Sequence, residues 1–359
     1  MTPVTALVDP VRLTAWAGPR LPGQGGLGVE RLAEGHSNLT FTVTREGAGP
    51  WILRRPPQGP LLPTAHDVLR EARVLDLLDH AGGVRVPVVA VACDDDAVIG
   101  APFYLMERSG GVVVRDELPG WLDEATRRTT GLDLVAALAE LHGAAWQPFV
   151  EAGVGRESGY VERQLRRWAG QREGIQAAVA AGGGAARELP DYDHVRDWLR
   201  ARAADLPAQR TALVHGDYKL DNVILDPETG RVAAIVDWEM ATVGDPLADL
   251  GYLLSSWMQG RDGIPGAPGL GVATAAPGWP TRDELVAAYA AATGRDAVEL
   301  DAVLPFYTVL AVWKLAVLLE ASYYRHLAGT TDDPFFATLV TGVPQLLAHA
   351  RELTEAPGA

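Results

Sequence analysis

Hydrophobic and polar positions follow two different patterns along the chain, and the change lies near residue 110. Before it, short β-prone runs are separated by turn residues, which is typical of antiparallel strands. These runs lie at 29–34, 39–45, 51–55, 86–92 and 102–107. Between the third and fourth runs, apolar residues recur at helical spacing and predict a helix over 64–79. This part of the chain therefore predicts a small sheet with one main helix.

Beyond residue 110, apolar positions recur mainly every three or four residues, which predicts long helices. The predicted helices lie at 123–146, 161–181, 192–204, 281–293, 298–327 and 335–353. A β-rich island interrupts them at 211–215, 222–225 and 232–236. The stretch from Gly260 to Pro280 is rich in Gly, Pro and Ala, so it is predicted to be either a lid or a disordered insertion. The whole pattern indicates an α+β protein with two domains, residues 1–109 and 110–359.

The composition is that of a folded protein, with 48% hydrophobic and 21% charged residues. A single cysteine, Cys93, excludes an intrachain disulfide framework and a cysteine-ligated metal cluster. The first residues lack the basic start and apolar core of a signal peptide, so a cytoplasmic location is expected. The longest apolar stretch, Val309 to Leu319, is interrupted by Lys314 and is too short to span a bilayer, so no membrane partner is expected.

The chain is strongly acidic, with a net charge of −15 from 31 basic and 46 acidic residues. An acidic surface repels nucleic acid and anionic lipid, so neither is an expected partner. Lysine occurs only at positions 219 and 314, and all the other residues counted as basic are arginines. A site that needs a permanent cation before residue 219 must therefore use arginine.

Polar residues with catalytic potential concentrate in the β-rich island. The string HGDYKLDN places Asp217 five residues before Asn222, and Asp237 follows after a predicted hairpin. This spacing is that of a kinase catalytic loop, in which the aspartate orients the attacking hydroxyl and the asparagine binds magnesium. The alternative is two surface turns that use Asp and Asn for their turn propensity. Turns explain single residues of these types but not the ordered set, so the string predicts phosphoryl transfer.

The string HGDYKLDN followed by DWEMATVGDPLADLGYLL resembles the aminoglycoside phosphotransferase superfamily, which has the protein-kinase-like fold. Within it, the chain is similar to the kinase-like domain of acyl-CoA dehydrogenase family members ten and eleven. The resemblance extends from the turn at Gly35 to the C-terminal helices. It implies a two-lobed fold, with a small β-rich N-lobe that binds the ATP phosphates and a larger, mainly helical C-lobe that carries the catalytic loop, the metal site and the acceptor pocket.

By this resemblance, Asp217 matches the catalytic base, and Asn222 and Asp237 match the ligands of Mg²⁺. His215 is expected to hold the catalytic loop by packing and hydrogen bonding. Asp249 is expected to brace the same loop as well as the start of its own helix. Two interpretations stay open for Lys219. It would either contact the transferring phosphate or serve as a plain charge partner of the neighbouring carboxylates.

In the N-lobe, the resemblance places the phosphate-covering loop at residues 35–38, where Ser37 and Asn38 would donate to phosphate oxygens. The adenine-binding hinge would lie around Glu107, whose backbone would read the base. Taken alone, residues 35–38 are weak evidence for a phosphate-binding loop, and an ordinary hairpin turn is the alternative interpretation.

The strand that should carry a phosphate-binding lysine ends in Arg54 and Arg55. Successive strand residues face opposite sides of a sheet, so only one of the two points to the nucleotide, and the resemblance favours Arg54. An arginine fork can bind phosphate oxygens and a carboxylate together. Glu71 on the predicted helix is its expected partner, with a solvated helix residue as the alternative. Arg55 is expected to be its outward neighbour.

These observations predict an ATP- and Mg²⁺-dependent phosphotransferase that acts on a hydroxyl group of a small molecule. The resemblance implies a 4-hydroxyacyl-CoA as the acceptor and a functional link to an acyl-CoA dehydrogenase. Two alternatives stay open: a kinase of aminoglycosides or other amino alcohols, and a nucleotide-binding pseudokinase that serves as a scaffold.

Overall fold

The computed structural model describes residues 4–32, 38–57, 67–259, 271–329 and 335–356. It divides into two compact units, of which the first contains Met1–Gly111 and Ala233–Ala241, and the second Val112–Val232 and Thr242–Ala359. The boundary predicted at 109/110 differs from this division mainly because it left residues 233–241 in the second domain. These residues belong to the first unit because side chains of its main helix bond their backbone.

The first unit is built on a five-stranded antiparallel sheet with the strand order β1-β2-β3-β5-β4. Its strands are β1 Gln24–Arg31, β2 Leu39–Glu46, β3 Ala48–Arg55, β4 Val89–Cys93 and β5 Phe103–Glu107. Its helices are α1 Val4–Leu7, α2 Pro10–Ala17, α3 Val68–Ala81 and α4 Asp96–Ile99. The predicted meander and main helix are thus present, and α3 begins four residues later than expected, at its cap Asp67.

Alternation along β3 gives the sheet two different faces. Trp51 and Leu53 pack into the main apolar core of the unit, together with Leu13 of α2. Arg54 points to the opposite face, toward α3, where it meets Glu71. The sheet therefore carries its hydrophobic core on one side and a charged cluster on the other.

The second unit is mainly helical. Its helices are α5 Glu124–Gly143, α6 Gln147–Glu151, α7 Tyr160–Ala181, α8 Pro190–Ala203, α9 Leu247–Ser256, α10 Arg282–Thr293, α11 Ala297–Leu327 and α12 Phe335–Glu355. Four short strands lie among them: β6 Ala212–Val214, β7 Val223–Leu225, β8 Val232–Ile235, which crosses the boundary between the units, and β9 Thr242–Gly244. Helix α11 packs against α7, α8, α9, α10 and α12 and forms the centre of this unit.

Helix α6 was not predicted, and two further segments of the second unit also differ from the sequence prediction. No strand was predicted after Asp237, but β9 lies there and pairs with β6. Three residues are too few to show a strand period, so the pairing decides the conformation. Of the predicted loop at 260–280, residues 260–270 lie outside the described part of the chain. Residues 272–275 form a 3₁₀ turn, and Trp279 is buried, so the described part of this segment is packed rather than structureless.

Helix α11 is long and apolar enough to cross a membrane by length and composition alone. The apolar segment judged from the sequence was shorter than this helix, because it contained only the uninterrupted apolar residues on either side of Lys314. However, 61% of the most apolar window of this helix is buried inside the protein, as in the core helix of a soluble domain.

Candidate active site

The string HGDYKLDN forms the connection between β6 and β7 in the second unit. At the end of β6, the backbone N–H groups of His215 and Gly216 donate to the carboxylate of Asp249, at 2.6 and 2.8 Å. Gly216 has a φ of +84°, in the left-handed region that glycine adopts without a Cβ penalty. The turn that presents Asp217 is therefore fixed by a buried carboxylate from the start of α9.

Asp217 itself is held by its neighbours in the loop. Its N–H donates to Nδ1 of the buried His215 at 3.2 Å. The amide nitrogen of Asn222 donates to the backbone oxygen and to Oδ2 of Asp217, both at 2.8 Å. His215 thus has the loop-holding position expected from the sequence. Because its NH₂ is used in this way, the side-chain oxygen of Asn222 is the atom that the predicted metal role would use.

Two lysines lie near the Asp217 carboxylate. Burial alone would raise the pKa of Asp217, but the charges of Lys219 and Lys314 outweigh it and hold the pKa below its ordinary value, with help from the Tyr252 hydroxyl. Lys219 Nζ lies 3.8 Å from Asp217 Oδ2 and 3.9 Å from Asp221 Oδ2. The carboxylate is therefore ionised at neutral pH, in the state that accepts a hydrogen bond from a substrate hydroxyl.

A second layer of hydrogen bonds supports the start of α9. His142 Nε2 lies 3.3 Å from Asp249 Oδ2, and its Nδ1 lies 2.8 Å from the hydroxyl of Tyr289. Asp245 accepts the N–H of Leu247 at 3.0 Å and the hydroxyl of Tyr307 at 2.5 Å. Asp249 thus has the two roles expected from the sequence, at the start of its helix and as a brace of the catalytic loop, and Asp245 holds the N–H of Leu247 at the start of the same helix.

A charged cluster forms in the first unit around Arg54. Its Nη1 lies 2.9 Å from Glu71 Oε1, and its Nη2 lies 3.0 Å from Asp237 Oδ1. The expected pairing of Arg54 with Glu71 is therefore present. Burial alone would lower the pKa of Arg54, but the two carboxylates raise it well above its ordinary value. The arginine is a permanent cation that holds one carboxylate on each arm of its fork.

The segment that carries Asp237 is fastened to α3. Asp237 has a φ of +68° and is left-handed, which is uncommon for a residue with a side chain. The next N–H, that of Trp238, donates to Glu71 Oε1 at 3.2 Å. Arg70 donates to the carbonyls of Glu239 and Ala241. Two consecutive residues of α3 thus hold this segment in the first unit.

The cluster around Arg54 contains buried polar atoms that have no hydrogen-bond partner among the described residues. They include Arg54 Nε and Glu71 Oε2. Burial raises the pKa of Glu71, Arg54 opposes this effect, and Asp237 adds to it. The side chain of Asp237 is about one-third exposed. A single cation beside two carboxylates leaves a negative excess, so the donor set fits a hard cation such as Mg²⁺.

Arg55 corrects one expectation. It is buried rather than outward, and its guanidinium donates to the carbonyls of Leu7, Pro56 and Ile99. The alternation of β3 sends it into the side of the sheet covered by α1 and α4, where backbone carbonyls replace water. Arg55 is therefore a structural arginine.

The other N-lobe predictions have mixed outcomes. Ser37 lies outside the described residues. Asn38 is buried, and its amide nitrogen donates to Glu239 Oε2 at 3.3 Å. The N–H of Glu107 donates to the carbonyl of Val88, the residue before β4, at 2.8 Å. The hinge role of the backbone around Glu107 stays a prediction.

The predicted residues fall into two groups. Asp217 and Asn222 are in contact in the second unit, and Arg54, Glu71 and Asp237 are in contact in the first. Within the described ranges, no group of three or more His, Cys, Asp or Glu side chains is arranged to hold a metal ion. This finding is compatible with a magnesium ion that binds few protein oxygens and completes its shell with water and phosphate. The nucleotide and metal roles of these residues stay predictions.

Sequence reasoning missed the residues that approach the catalytic loop from other helices. Lys314 of α11 donates to the carbonyl of Gly216, and Tyr252 of α9 contributes hydrogen bonding to Asp217. One signal was present in the sequence, because Lys314 is a lone charge within the longest apolar run.

Comparisons with known proteins agree with this geometry. A family model described as the phosphotransferase enzyme family matches residues 28–302. Acyl-CoA dehydrogenase family member 11 from Homo sapiens is 33% identical over 344 residues, which cover 92% of this chain and 42% of that protein. The chain therefore spans less than half the length of this curated relative.

Solved structures show the same fold. A protein from Ralstonia eutropha, assigned as an aminoglycoside phosphotransferase, is 28% identical with a TM-score of 0.73, and the match covers 97% of this chain and 98% of that one. Aminoglycoside phosphotransferase APH(4)-Ia, in a ternary complex with AMP-PNP and hygromycin B, is 15% identical with a TM-score of 0.61, over 96% of this chain and 97% of that one. The predicted family and the predicted protein-kinase-like fold are confirmed.

Proposed function

The chain belongs to the phosphotransferase enzyme family, and from that premise we propose that it transfers the γ-phosphate of ATP to the hydroxyl group of a 4-hydroxyacyl-CoA. Membership makes it a kinase-type phosphotransferase that acts on a hydroxyl group of a small molecule. The finer assignment of donor, metal and acceptor is the proposal. The observation that carries it is the Asp217 carboxylate, which is ionised and fixed by Asn222 and by a braced backbone turn.

The role of Asp217 follows from its environment. An ionised carboxylate accepts the hydrogen bond of the acceptor hydroxyl and orients its oxygen for attack on the γ-phosphorus. As the new P–O bond forms, the bond to the β-phosphate oxygen breaks, ADP leaves, and the hydroxyl proton passes to Asp217. Because the backbone on either side of Asp217 is hydrogen-bonded, the carboxylate needs little reorganisation during this step.

The donor side of the proposal rests on the Arg54 cluster. Arg54 supplies a permanent cation for phosphate oxygens, and its unpartnered Nε is a further donor. The AMP-PNP complex of the similar structure belongs to that protein and motivates ATP as the donor here. Asp237 and Asn222 are the proposed ligands of Mg²⁺, each through a side-chain oxygen. When bound, the metal would neutralise charge on the phosphates.

The acceptor assignment rests on the cavity beside the catalytic loop. This cavity is small, with a volume of about 20 Å³, so it is the character of its wall and not its size that bears on the acceptor. Aromatic and aliphatic side chains make up most of its lining. They include Tyr160, Trp168, Tyr252 and Leu310. Its one carboxylate, that of Asp249, already accepts two backbone N–H groups. A polycationic aminoglycoside calls for carboxylates, whereas an acyl chain suits an apolar wall.

The acceptor is tested by incubating the protein with Mg·ATP and either a 4-hydroxyacyl-CoA or kanamycin. Phosphorylated product is then identified by mass spectrometry. We expect phosphate on the hydroxyl of the thioester and little on kanamycin. Efficient phosphorylation of kanamycin without activity on the thioester would overturn the acceptor and leave the phosphotransferase chemistry in place. ATP binding without transfer to any hydroxylated metabolite would support the pseudokinase alternative.

The base is tested by Asp217→Asn. We expect turnover to fall by about a hundredfold to ten-thousandfold, because the amide cannot take the hydroxyl proton, while ATP affinity changes little. Asp226→Asn, in the exposed turn after β7, is the matched control and should keep normal turnover. Undiminished turnover of Asp217→Asn would remove this residue from the mechanism.

The curated relative also motivates a functional link. Its name joins acyl-CoA dehydrogenase chemistry to a region similar to this chain, so the phosphorylated product would be consumed by an enzyme of acyl-CoA metabolism.

A further inference from the structure

A buried lysine lies beneath the catalytic loop. Lys314 is only 8% exposed, on a helix whose other residues in this stretch are apolar. Burial lowers its pKa to about 8, although Asp217 and Asp249 oppose the shift. Burying an ammonium group costs stability unless it is paired. Packing alone would be served better by methionine or leucine, so the lysine points to a role beyond the core.

The contacts of Lys314 converge on the residue before Asp217. Its ammonium donates to the carbonyl of Gly216 and lies 4.7 Å from the ring centre of Tyr252 and 5.7 Å from that of Trp168. The N–H of Gly216 is held by Asp249 at 2.8 Å. Both polar groups of Gly216 are therefore fixed by side chains from α9 and α11, and the peptide that leads into Asp217 cannot rotate freely.

We propose that Lys314 is a positioning residue for phosphoryl transfer, which fixes the Gly216 carbonyl and places a positive charge under the Asp217 carboxylate. This inference rests on the proposed function, because it gives Asp217 the role of base. Lys314 acts through Gly216 and does not take the place of the lysine that binds ATP phosphates in protein kinases. This role explains why one of the two lysines of the chain is buried on helix α11.

Several charged groups lie near Lys314 and raise or lower its pKa. The catalytic loop contributes Asp217 and Lys219, α9 contributes Asp249, and α7 contributes Arg167. Tyr252 of α9 also faces it. The charged ammonium is the form that fixes the loop and balances the carboxylates. Activity should therefore be full below pH 8 and should decline as the pH rises through about 8, the pKa of Lys314.

The first test needs no acceptor. Because the chain has two lysines, a sample labelled with [ε-¹³C]lysine should give two side-chain NMR signals, and Lys219→Arg identifies which belongs to Lys314. We expect the Lys314 signal to titrate near pH 8. Asp217→Asn removes a nearby negative charge and should move that midpoint to lower pH. A Lys314 signal that titrates like free lysine, or that ignores Asp217→Asn, would overturn the proposal.

The second test separates positioning from packing by kinetics, with Mg·ATP and the proposed 4-hydroxyacyl-CoA acceptor. Lys314→Met keeps the apolar volume and should lower kcat by about tenfold to a hundredfold, the effect of losing a charge-assisted hydrogen bond, with the KM for ATP nearly unchanged. Lys314→Arg keeps the charge and should recover part of kcat and move the alkaline decline to higher pH. Equal changes in kcat and KM, or an alkaline decline that Lys314→Arg leaves in place, would contradict positioning.

The two tests distinguish failure of this inference from failure of the proposed function. If no acceptor is phosphorylated, the proposed function fails, and the NMR titration still decides whether Lys314 is coupled to Asp217. If Lys314→Met does not fold, the titration of the unmodified protein and the pH profile of Lys314→Arg carry the decision.

Discussion

Two buried clusters of arginine and carboxylate, one in each unit, use the same residue types for opposite purposes. In the second unit, Arg172 and Arg187 flank the fully buried Glu320, with Arg172 Nη1 at 3.3 Å from Glu320 Oε1 and Arg187 Nε at 3.1 Å from both carboxylate oxygens. In the first unit, Arg54 stands alone between Glu71 and Asp237. One cluster has a positive excess and the other a negative excess.

The hydrogen bonds of the two clusters differ as well. Arg172 also donates to the carbonyl of Arg187 at 2.7 Å, and Arg187 donates to the carbonyls of Leu339 and Val340, at 3.0 and 2.6 Å. These bonds join α7, α11 and α12, so the positive excess is spread over backbone oxygens. In the Arg54 cluster, by contrast, Arg54 Nε and Glu71 Oε2 have no hydrogen-bond partner within the described part of the chain.

The comparison teaches how a structural ion cluster differs from a binding site. A buried cluster that stabilises a fold has its polar atoms hydrogen-bonded within the protein, and backbone oxygens can spread an excess of charge. A cluster that receives a charged ligand keeps unpaired polar atoms until the ligand arrives. By this criterion the Glu320 cluster is structural, and the Arg54 cluster has the features expected of the proposed metal–nucleotide site.

The largest expected effect is on activity, in Asp237→Gly. Loss of the proposed magnesium ligand should lower turnover at least about a thousandfold. The fold should be no less stable, because glycine relieves the left-handed strain of Asp237, which costs about 1 kcal/mol. Turnover and urea unfolding are measured on the same preparation. A loss of stability comparable to that of a Glu320 variant would break the comparison.

The next largest effect is on stability, in Glu320→Gln. Removing the carboxylate leaves the buried Arg172 and the partly exposed Arg187 without their counter-charge, so we expect the free energy of unfolding to fall by about 3 kcal/mol. Turnover per folded molecule should not change. Glu299→Gln, at an exposed position of the same helix, is the control and should unfold like the unmodified protein.

A smaller pair of effects separates the two arginines of β3. Arg54→Lys keeps a cation but cannot hold both carboxylates with one planar fork, so we expect the KM for ATP to rise about tenfold. Arg55→Lys loses bonds to backbone carbonyls and should lower the free energy of unfolding by about 1–2 kcal/mol without changing that KM. Steady-state kinetics and urea unfolding of both variants check this. Equal changes in KM would mean that the two arginines do not have separate roles.

The smallest effect is expected at an exposed ion pair. Arg128 and Glu284 form two hydrogen bonds between α5 and α10, at 3.1 and 2.7 Å. Both side chains are solvated, so Arg128→Ala should cause no resolvable change in unfolding at physiological salt. A clear loss of stability would show that pairing geometry, and not burial, decides what these clusters contribute.

Much of the fold could be predicted from the sequence, because its long helices carry a clear period and caps. Helix α10, for example, begins one residue after the expected start, at a Thr281–Glu284 capping box. Strand β9 could not be predicted, since a three-residue strand depends on its partner β6.

The site was predictable where spacing along the chain sets it. The contact of Asp217 with Asn222 follows from the five-residue interval between them. Strand alternation allows only one of Arg54 and Arg55 to point to the nucleotide, and the resemblance favours Arg54. The burial of Arg55 and the approach of Lys314 depend on which helix covers a given surface, and one sequence does not encode that in any local pattern.

The most direct test of the central claim is the magnesium dependence of nucleotide binding, measured by calorimetry with AMP-PNP. We predict that Mg²⁺ tightens binding at least about tenfold in the unmodified protein and in Glu320→Gln, since each such factor corresponds to 1.4 kcal/mol of metal–ligand interaction. In Asp237→Gly the tightening should be lost. If Asp237→Gly keeps the same magnesium dependence, the metal is held elsewhere, and the Arg54 cluster is not the binding site proposed here.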